Sequence, residues 1–181
     1  DPDKRKTIIN VARERLHKAI SSEMIEYWKG TTWDYNGYSN VPGKGKIACG
    51  YFVTTPLKHL GFNMNRYKIA QLYSHDIVKT LCYDSVYTIC DSDSFSDFMQ
   101  KQDKNGVFIV GLDNHTGFII RNNNQSYFLH SDYINKEGVK SEPNESSVAL
   151  SLTTCYVIGD FLKNDEIIQA WIIRDSIMIK N

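Results

Sequence analysis

The stretch that decides the fold runs from residue 107 to residue 131 and reads VFIVGLDNHTGFIIRNNNQSYFLHS. It contains three apolar segments, 107–112, 116–121 and 126–131, and three consecutive asparagines precede the third one. Short runs rich in Val, Ile, Phe and Tyr that are bounded by turn residues are typical of strands, and the asparagine cluster is typical of a hairpin turn. The sequence therefore predicts three adjacent antiparallel strands.

Most of the chain before these strands has helical character. Residues 4–28 carry apolar side chains at helical spacing, which predicts one amphipathic N-terminal helix ending near Gly30. Further helices are predicted over 49–60 up to Gly61, over 66–81 with Asn65 as N-cap, and over 93–103. Because helices precede strands with little alternation, the fold class is predicted to be α+β, with helices packed on a central antiparallel β-sheet.

Two segments allow more than one secondary-structure prediction. Pro56 has no backbone N–H, so the helix over 49–60 begins either at Cys49 or only at Thr55. The apolar run 167–173 fits a helix or a strand equally well. Polar or glycine-rich loops are predicted at 30–46 and 135–147, and a strand is predicted at 155–159.

Composition points to one globular domain over residues 1–181. Of the 181 residues, 41% are hydrophobic and 23% are charged, which is ordinary for a folded protein. Lys plus Arg and Asp plus Glu both number 21, so the chain lacks the basic excess of a nucleic-acid-binding protein. No apolar run approaches the roughly 20 residues of a membrane-spanning helix. We therefore expect no nucleic-acid partner and no membrane-spanning segment.

The four cysteines, Cys49, Cys82, Cys90 and Cys155, include no C-x-x-C pair. This spacing is not that of a zinc ribbon or a thioredoxin motif, so we expect neither a metal nor another cofactor. A disulfide between Cys82 and Cys90 is one alternative, and four free thiols is the favoured one. The chain begins at Asp1 rather than at methionine, so we expect an upstream segment, for which a secretion signal, a lipid-anchor segment and an expression artefact all fit.

One of these thiols has an unusual position in the sequence. The segment KIACGYFV, residues 46–53, places Cys49 at the end of a polar loop and at the start of an apolar helix. At a helix amino terminus the dipole and the unpaired N–H groups favour the thiolate. We therefore expect Cys49 to face a cleft with a lowered pKa and to act as a nucleophile.

Two of the five histidines are placed to assist such a nucleophile. His115 begins a predicted strand and His130 ends the next one, whereas His17, His59 and His75 are expected on the surface. A hairpin that turns at 122–124 places residue 115 opposite about residue 131, so the two imidazoles can touch. A base needs an orienting partner on its second ring nitrogen, and His130 can supply it.

The segments around Cys49 resemble the NlpC/P60 group of papain-like cysteine peptidases and amidases. Gly30-Thr31-Thr32-Trp33-Asp34-Tyr35-Asn36-Gly37 is similar to the G-T-P-Y-x-W-G-G loop of that group, and Ala48-Cys49-Gly50 is similar to its D-C-S-G motif. The order of Cys, strand His and a polar residue on the following strand is also kept. Ala48 and Gly50 depart from the motif, and Trp33 stands where the group has a tyrosine.

The resemblance implies a papain-like domain with its nucleophile at a helix N-terminus, Cys49 as nucleophile, His115 as general base and His130 as orienting partner. It also implies that Trp33 and Tyr35 contact the substrate, whereas residues 84–106 depart from the compact group and are expected to form a helical insertion. The implied substrate is a peptide or peptidoglycan fragment of the bacterial cell wall. The implied location is therefore extracytoplasmic, whether periplasmic, secreted or lipid-anchored, and we expect a monomer.

Two other functions fit the same residues. A cysteine before an apolar helix is often inert and a strand-end histidine is often structural, so the chain also fits a catalytically silent binding module. The same three residues in a thiol acyltransferase would pass the acyl group to an amine or a lipid instead of water.

Overall fold

A computed structural model describes residues 1–102 and 105–180. In chain order these residues form α1 (Pro2–Lys18), a π-helical turn (Ala19–Glu23), α2 (Met24–Trp28), α3 (Cys49–His59), β1 (Asn63–Met64), α4 (Arg66–Ala70), α5 (Ser74–Cys82), β2 (Val86–Ile89), α6 (Ser92–Gln100), β3 (Asn105–Gly111), β4 (Thr116–Asn122), β5 (Gln125–Asp132), β6 (Gly138–Pro143), a 3-10 turn (Asn144–Ser146), α7 (Val148–Ser151), β7 (Tyr156–Asp160), α8 (Asp165–Ile173) and β8 (Ser176–Ile177).

The centre of the molecule is a six-stranded sheet in the order β2-β7-β3-β4-β5-β6, and every neighbouring pair is antiparallel. The strands β1 and β8 form a separate parallel pair. The three strands predicted between residues 107 and 131 are adjacent, as expected. The α+β class and the antiparallel sheet are therefore confirmed.

Both faces of the sheet are covered, and this explains why the central strands read as continuous apolar runs. Val107 and Ile109 of β3 point to a core shared with α3 and α5, whereas Phe108 and Val110 point to a second core shared with α6 and α7. All four side chains are buried. Successive residues therefore fill opposite cores, as the twofold repeat of a strand requires.

The N-terminal helix and α3 agree with the sequence prediction. The helical segments from Pro2 to Trp28 are continuous, close to the predicted range 4–28. The helix α3 begins at Cys49 and contains Pro56 in its interior, so the alternative start at Thr55 is wrong. The run 167–173 is helical, because it lies within α8.

The single helix predicted over 66–81 is wrong, because the chain breaks into α4 and α5. The break is explained by contact with the end of β3. The Ser74 hydroxyl donates to the carbonyl of Leu112, and a Cβ on Gly111 would lie 2.6 Å from the Ser74 carbonyl oxygen. The start of α5 is therefore fixed by the sheet rather than by continuation of α4.

Two edge strands were missed. Residues 84–106 are not simply a helical insertion, since β2 pairs with β7 before α6 begins, and the predicted end of the helix over 93–103 lies outside the described residues. The segment 135–147 contains β6, which pairs with β5, instead of only a loop. Both strands are short and partly polar, so their conformation depends on the strand beside them.

The cysteine pairing also differs from both alternatives considered. Cys90 and Cys155 form a disulfide, while Cys49 and Cys82 are free. The antiparallel pairing places Ile89 opposite Tyr156. Cys90, which follows β2, therefore lies opposite Cys155, which precedes β7. The expectation of four free thiols is wrong, because it did not include β2.

Candidate active site

Cys49 is the first residue of α3, as the sequence predicted. Ala48, the N-cap residue, is extended with ψ of 162° and has no side chain that could accept from the first N–H groups of the helix. Backbone N–H groups of Thr116, Gly50 and Cys49 lower the pKa of the Cys49 thiol, although burial outweighs them. The residue as a whole is partly exposed, and it lines the cleft described next.

Gly50 is required by the packing at this helix end. A Cβ at residue 50 would lie 2.3 Å from the carbonyl oxygen of Ala70, which is backbone and therefore cannot rotate away. This contact gives a physical reason for the departure from the D-C-S-G motif, since a serine side chain has no room here.

A cavity of about 780 Å³ opens beside the cysteine. Its lining includes Cys49, His115, Trp33, Tyr35, Tyr51 and Tyr133. The volume lies within the range of small-ligand sites in proteins. The structure thus brings the predicted nucleophile, the predicted base and both predicted substrate contacts to one cleft.

The two histidines touch. Nε2 of His115 lies 2.9 Å from Nδ1 of His130, and both side chains are buried. The hairpin register pairs Phe118 with Leu129, which is shifted by one residue from the predicted register. The shift matters because Gly117 then faces His130, with a Cβ at 117 only 2.9 Å from the Cβ of His130. Both imidazoles therefore lie on the same face of the sheet.

The hydrogen-bond chain continues beyond the predicted residues to Glu142 on β6. Its Oε1 atom lies 3.2 Å from Nε2 of His130, and its Oε2 atom lies 2.7 Å from Nζ of Lys140. The sequence analysis missed Glu142 because it treated 135–147 as a loop. The alternation of Lys140 and Glu142 in GVKSEP was the available signal, since residues two apart share one face of a strand.

The hydrogen bonds specify which nitrogen of each histidine carries the proton. The pKa of the Glu142 carboxyl is raised by burial but lowered by hydrogen bonds to Lys140 and Ser147, and the net shift is downward. The ionised carboxylate accepts from Nε2–H of neutral His130, whose Nδ1 then accepts from Nε2–H of His115. The remaining nitrogen, Nδ1 of His115, is left with a free lone pair.

The pKa values describe a neutral resting pair. Burial raises the pKa of the Cys49 thiol, and the surrounding N–H groups only partly oppose it, so the predicted lowering is wrong. Burial, with a further contribution from His130, places the pKa of His115 well below 6.5. Burial also lowers the pKa of His130, against the charges of Glu142 and Asp132. At neutral pH both the thiol and the imidazole are therefore uncharged.

Tyr133 is a second residue that the sequence analysis missed. Its ring centroid lies 4.8 Å from that of His115 and 6.4 Å from that of Trp33. Burial raises the pKa of its hydroxyl, with smaller contributions from Cys49 and Asp132, and Tyr133 lines the same cleft as Cys49. Tyr133 follows β5 by one residue, and no feature of the sequence distinguishes it from the other tyrosines.

The remaining histidines lie outside this cleft. His59 is exposed and lies 3.1 Å from Asn40, whereas His17 and His75 are half-buried rather than on the surface as predicted. Among residues 1–102 and 105–180, no group of three or more His, Cys, Asp or Glu side chains is arranged to hold a metal ion.

Comparison with protein-family models, with curated proteins and with solved structures finds no match to this chain. Across the described part of the chain, no helix is both long and apolar enough to cross a bilayer. The geometry of the cleft is therefore what bears on function.

Proposed function

We propose that this protein is a cysteine hydrolase that cleaves an amide or peptide bond, on a papain-like NlpC/P60 type of scaffold. Cys49 is the nucleophile, His115 the general base, and His130 the residue that orients it. The 2.9 Å contact between Nε2 of His115 and Nδ1 of His130 carries the proposal, because it leaves Nδ1 of a cleft-lining histidine free to accept a proton.

The reaction begins with neutral groups. Nδ1 of His115 takes the thiol proton as the Cys49 sulfur attacks the carbonyl carbon, forming a tetrahedral oxyanion. His115 then returns the proton to the leaving nitrogen as the C–N bond breaks and a thioester remains. Water, deprotonated by His115, attacks the thioester and releases the acid and the thiol.

The buried carboxylate supports the charged stage of this cycle. When His115 becomes an imidazolium, its Nε2–H still donates to His130, which is itself held by Glu142. A negative charge at the far end of the chain stabilises a positive charge that develops in the transition state. Glu142 therefore acts through His130 as a positioning residue.

The oxyanion would lie near the amino terminus of α3. The backbone N–H of Cys49, the first residue of the helix, is one donor. Trp33, whose indole N–H can donate, and Tyr35 also line the cleft, as does the Tyr133 hydroxyl. Loss of one such donor typically lowers the rate by about 100-fold or more.

The resemblance to NlpC/P60 enzymes makes cell-wall stem peptides the first substrates to test and an extracytoplasmic compartment the proposed location. The Cys90–Cys155 disulfide supports that location, since disulfides persist in oxidising compartments.

The test is alkylation followed by turnover. Iodoacetamide at pH 7 should label Cys49, whereas the fully buried Cys82 serves as an internal control that reacts only after unfolding. His115→Ala should slow the labelling by roughly 100-fold, and Cys49→Ala should abolish hydrolysis of defined cell-wall peptides. Labelling of Cys49 that does not depend on His115, together with no turnover, would instead support the silent binding module.

Hydrolysis and acyl transfer are separated by the products. With an added amine, a hydrolase yields the free acid from the thioester, whereas a thiol acyltransferase yields the amide of that amine. If the new amide is the main product, the proposed activity is acyl transfer and not hydrolysis.

A further inference from the structure

Aromatic rings rather than charges line the cleft beside Cys49. Its walls contain Trp33, Tyr35, Tyr38, Tyr51 and Tyr133. Among the described residues that line it there is no Asp, Glu, Lys or Arg. A group that enters the cleft therefore exchanges water for ring faces and a few neutral polar atoms.

The rings on one side are held in place by neighbours. The Tyr51 hydroxyl accepts a 2.9 Å hydrogen bond from Nε2 of Gln71, and its ring lies 6.3 Å from Tyr38 and 5.9 Å from Tyr67. Because these contacts fix the ring before a ligand arrives, little side-chain entropy is lost on binding.

The rings on the other side meet the catalytic histidine. Trp33 packs against Tyr133 at 6.4 Å, and Tyr133 packs against His115 at 4.8 Å. An apolar group that contacts Trp33 and Tyr133 therefore lies next to the proposed base. This arrangement favours aromatic or branched aliphatic groups, which bury large apolar areas against rings.

The charges close to these walls already have partners. The Arg66 guanidinium lies 5.5 Å from the Tyr51 ring centroid and donates to Thr55, to Tyr67 and to the Tyr38 carbonyl. On the loop, Lys46 and Asp34 form a 2.8 Å ion pair. The partners of Arg66 are neutral, but its side chain is buried and does not line the cleft, so a charged substrate group would lose its hydration without a direct ionic partner, which is costly.

We infer that the substrate group seated beside the scissile amide is uncharged and apolar, an aromatic or branched aliphatic side chain, so peptides that carry such a group next to the amide are to be tested beside the cell-wall stem peptides. The inference rests on the proposed function, amide cleavage at Cys49. Tyr51 and Trp33 are the residues that determine this specificity, because each supplies a fixed ring to the cleft and neither belongs to the proton relay.

The test compares three reagents that alkylate Cys49: N-benzyl iodoacetamide, iodoacetamide and iodoacetate. Each rate is divided by the rate of the same reagent with 2-mercaptoethanol, which removes the difference in intrinsic reactivity. We expect the benzyl reagent to be favoured over the carboxylate by at least ~10-fold, since the cleft accepts a ring but offers no cation.

Variants then assign the preference to the rings. Tyr51→Ala and Trp33→Ala should each reduce it to within about threefold, whereas Tyr87→Ala, which removes an exposed ring on β2, should leave it unchanged. An iodoacetate rate equal to or above that of the benzyl reagent overturns the inference, as does a preference that persists unchanged in both cleft variants.

The outcomes also separate this inference from the proposed function. A clear benzyl preference without hydrolysis of any amide overturns the function but retains the apolar cleft. Hydrolysis with His115-dependent labelling but no preference overturns the inference alone.

Discussion

At the scale of single residues, the charge on Glu142 distinguishes a proton relay from two packed histidines. Its carboxylate contacts both His130 and Lys140, and Lys140 also contacts Glu137 at 3.0 Å. Glu137 shares the lysine but does not touch a histidine, so it offers a matched control for removal of one carboxylate from this network.

We predict that Glu142→Gln lowers kcat/KM by ~10-fold or more, because the imidazolium formed during attack loses its compensating charge. Glu137→Gln should leave kcat/KM within about twofold. Steady-state kinetics on one amide substrate measures both. Equal losses in the two variants would indicate that Glu142 only stabilises the surrounding structure.

The pH profile gives a second readout of the same residue. Protonation of His115 removes the base, and its pKa lies below 6.5, so activity of the wild type should persist at pH 6.5 and fall only at lower pH. Glu142 raises the pKa of His130, so Glu142→Gln should lower the pKa of that imidazole, which an NMR titration followed beside the pH profile measures. An acid limb centred at or above pH 6.5 would contradict the neutral resting pair.

At the scale of elements, the amino terminus of α3 is left without a side-chain cap. Most helices have Ser, Thr, Asp or Asn at this position, and such a residue satisfies one of the free N–H groups. Here Ala48 provides no acceptor, so those groups stay available to the sulfur and, in the proposed reaction, to the oxyanion. The missing cap therefore lowers the stability of the helix and leaves its first N–H groups without a side-chain acceptor.

We predict that Ala48→Ser increases the free energy of unfolding by about 1 kcal/mol, because the hydroxyl accepts from an unpaired N–H group. Urea denaturation of the two proteins measures the change. Ala48→Val, which adds no acceptor, should give no increase. A gain of the same size in the valine variant would show that packing, not capping, is responsible.

At the same scale, strands with a strong apolar pattern were predictable and edge strands were not. The segments 107–112 and 116–121 contain enough apolar residues to read as strands without context. The strands β2 and β6 are mostly exposed or half-buried, so no apolar pattern marks them. Since β6 carries Glu142, missing the strand also meant missing the end of the relay.

At the scale of the whole molecule, the Cys90–Cys155 bridge closes a loop of 65 residues that contains β3 to β6. Closing such a loop restricts the unfolded chain much more than the folded one. The bridge therefore ties the edge strand β2 to β7 and encloses both cleft histidines, His115 and His130, within one covalent ring.

We predict that the double variant Cys90→Ser and Cys155→Ser loses about 4 kcal/mol of unfolding free energy, from the chain-entropy cost of a loop of this length. Denaturant unfolding measures the loss. Reductant should destabilise the wild type by a similar amount and leave the double variant unchanged. Insensitivity of the wild type to reductant would mean that the bridge does not stabilise the fold.

The sequence by itself determined the α+β class and the central strands, and it singled out Cys49, His115 and His130, but it left the start of α3 open between Cys49 and Thr55. These follow from local periodicity and from which residues flank a turn. Only the tertiary structure decided the one-residue register shift, the Cys90–Cys155 pairing, the positions of Glu142 and Tyr133 and the upward pKa shift of Cys49. The pKa shift depends on burial, the disulfide and Glu142 depend on pairing between strands, and the register depends on how the sheet packs. A local sequence pattern contains none of this information.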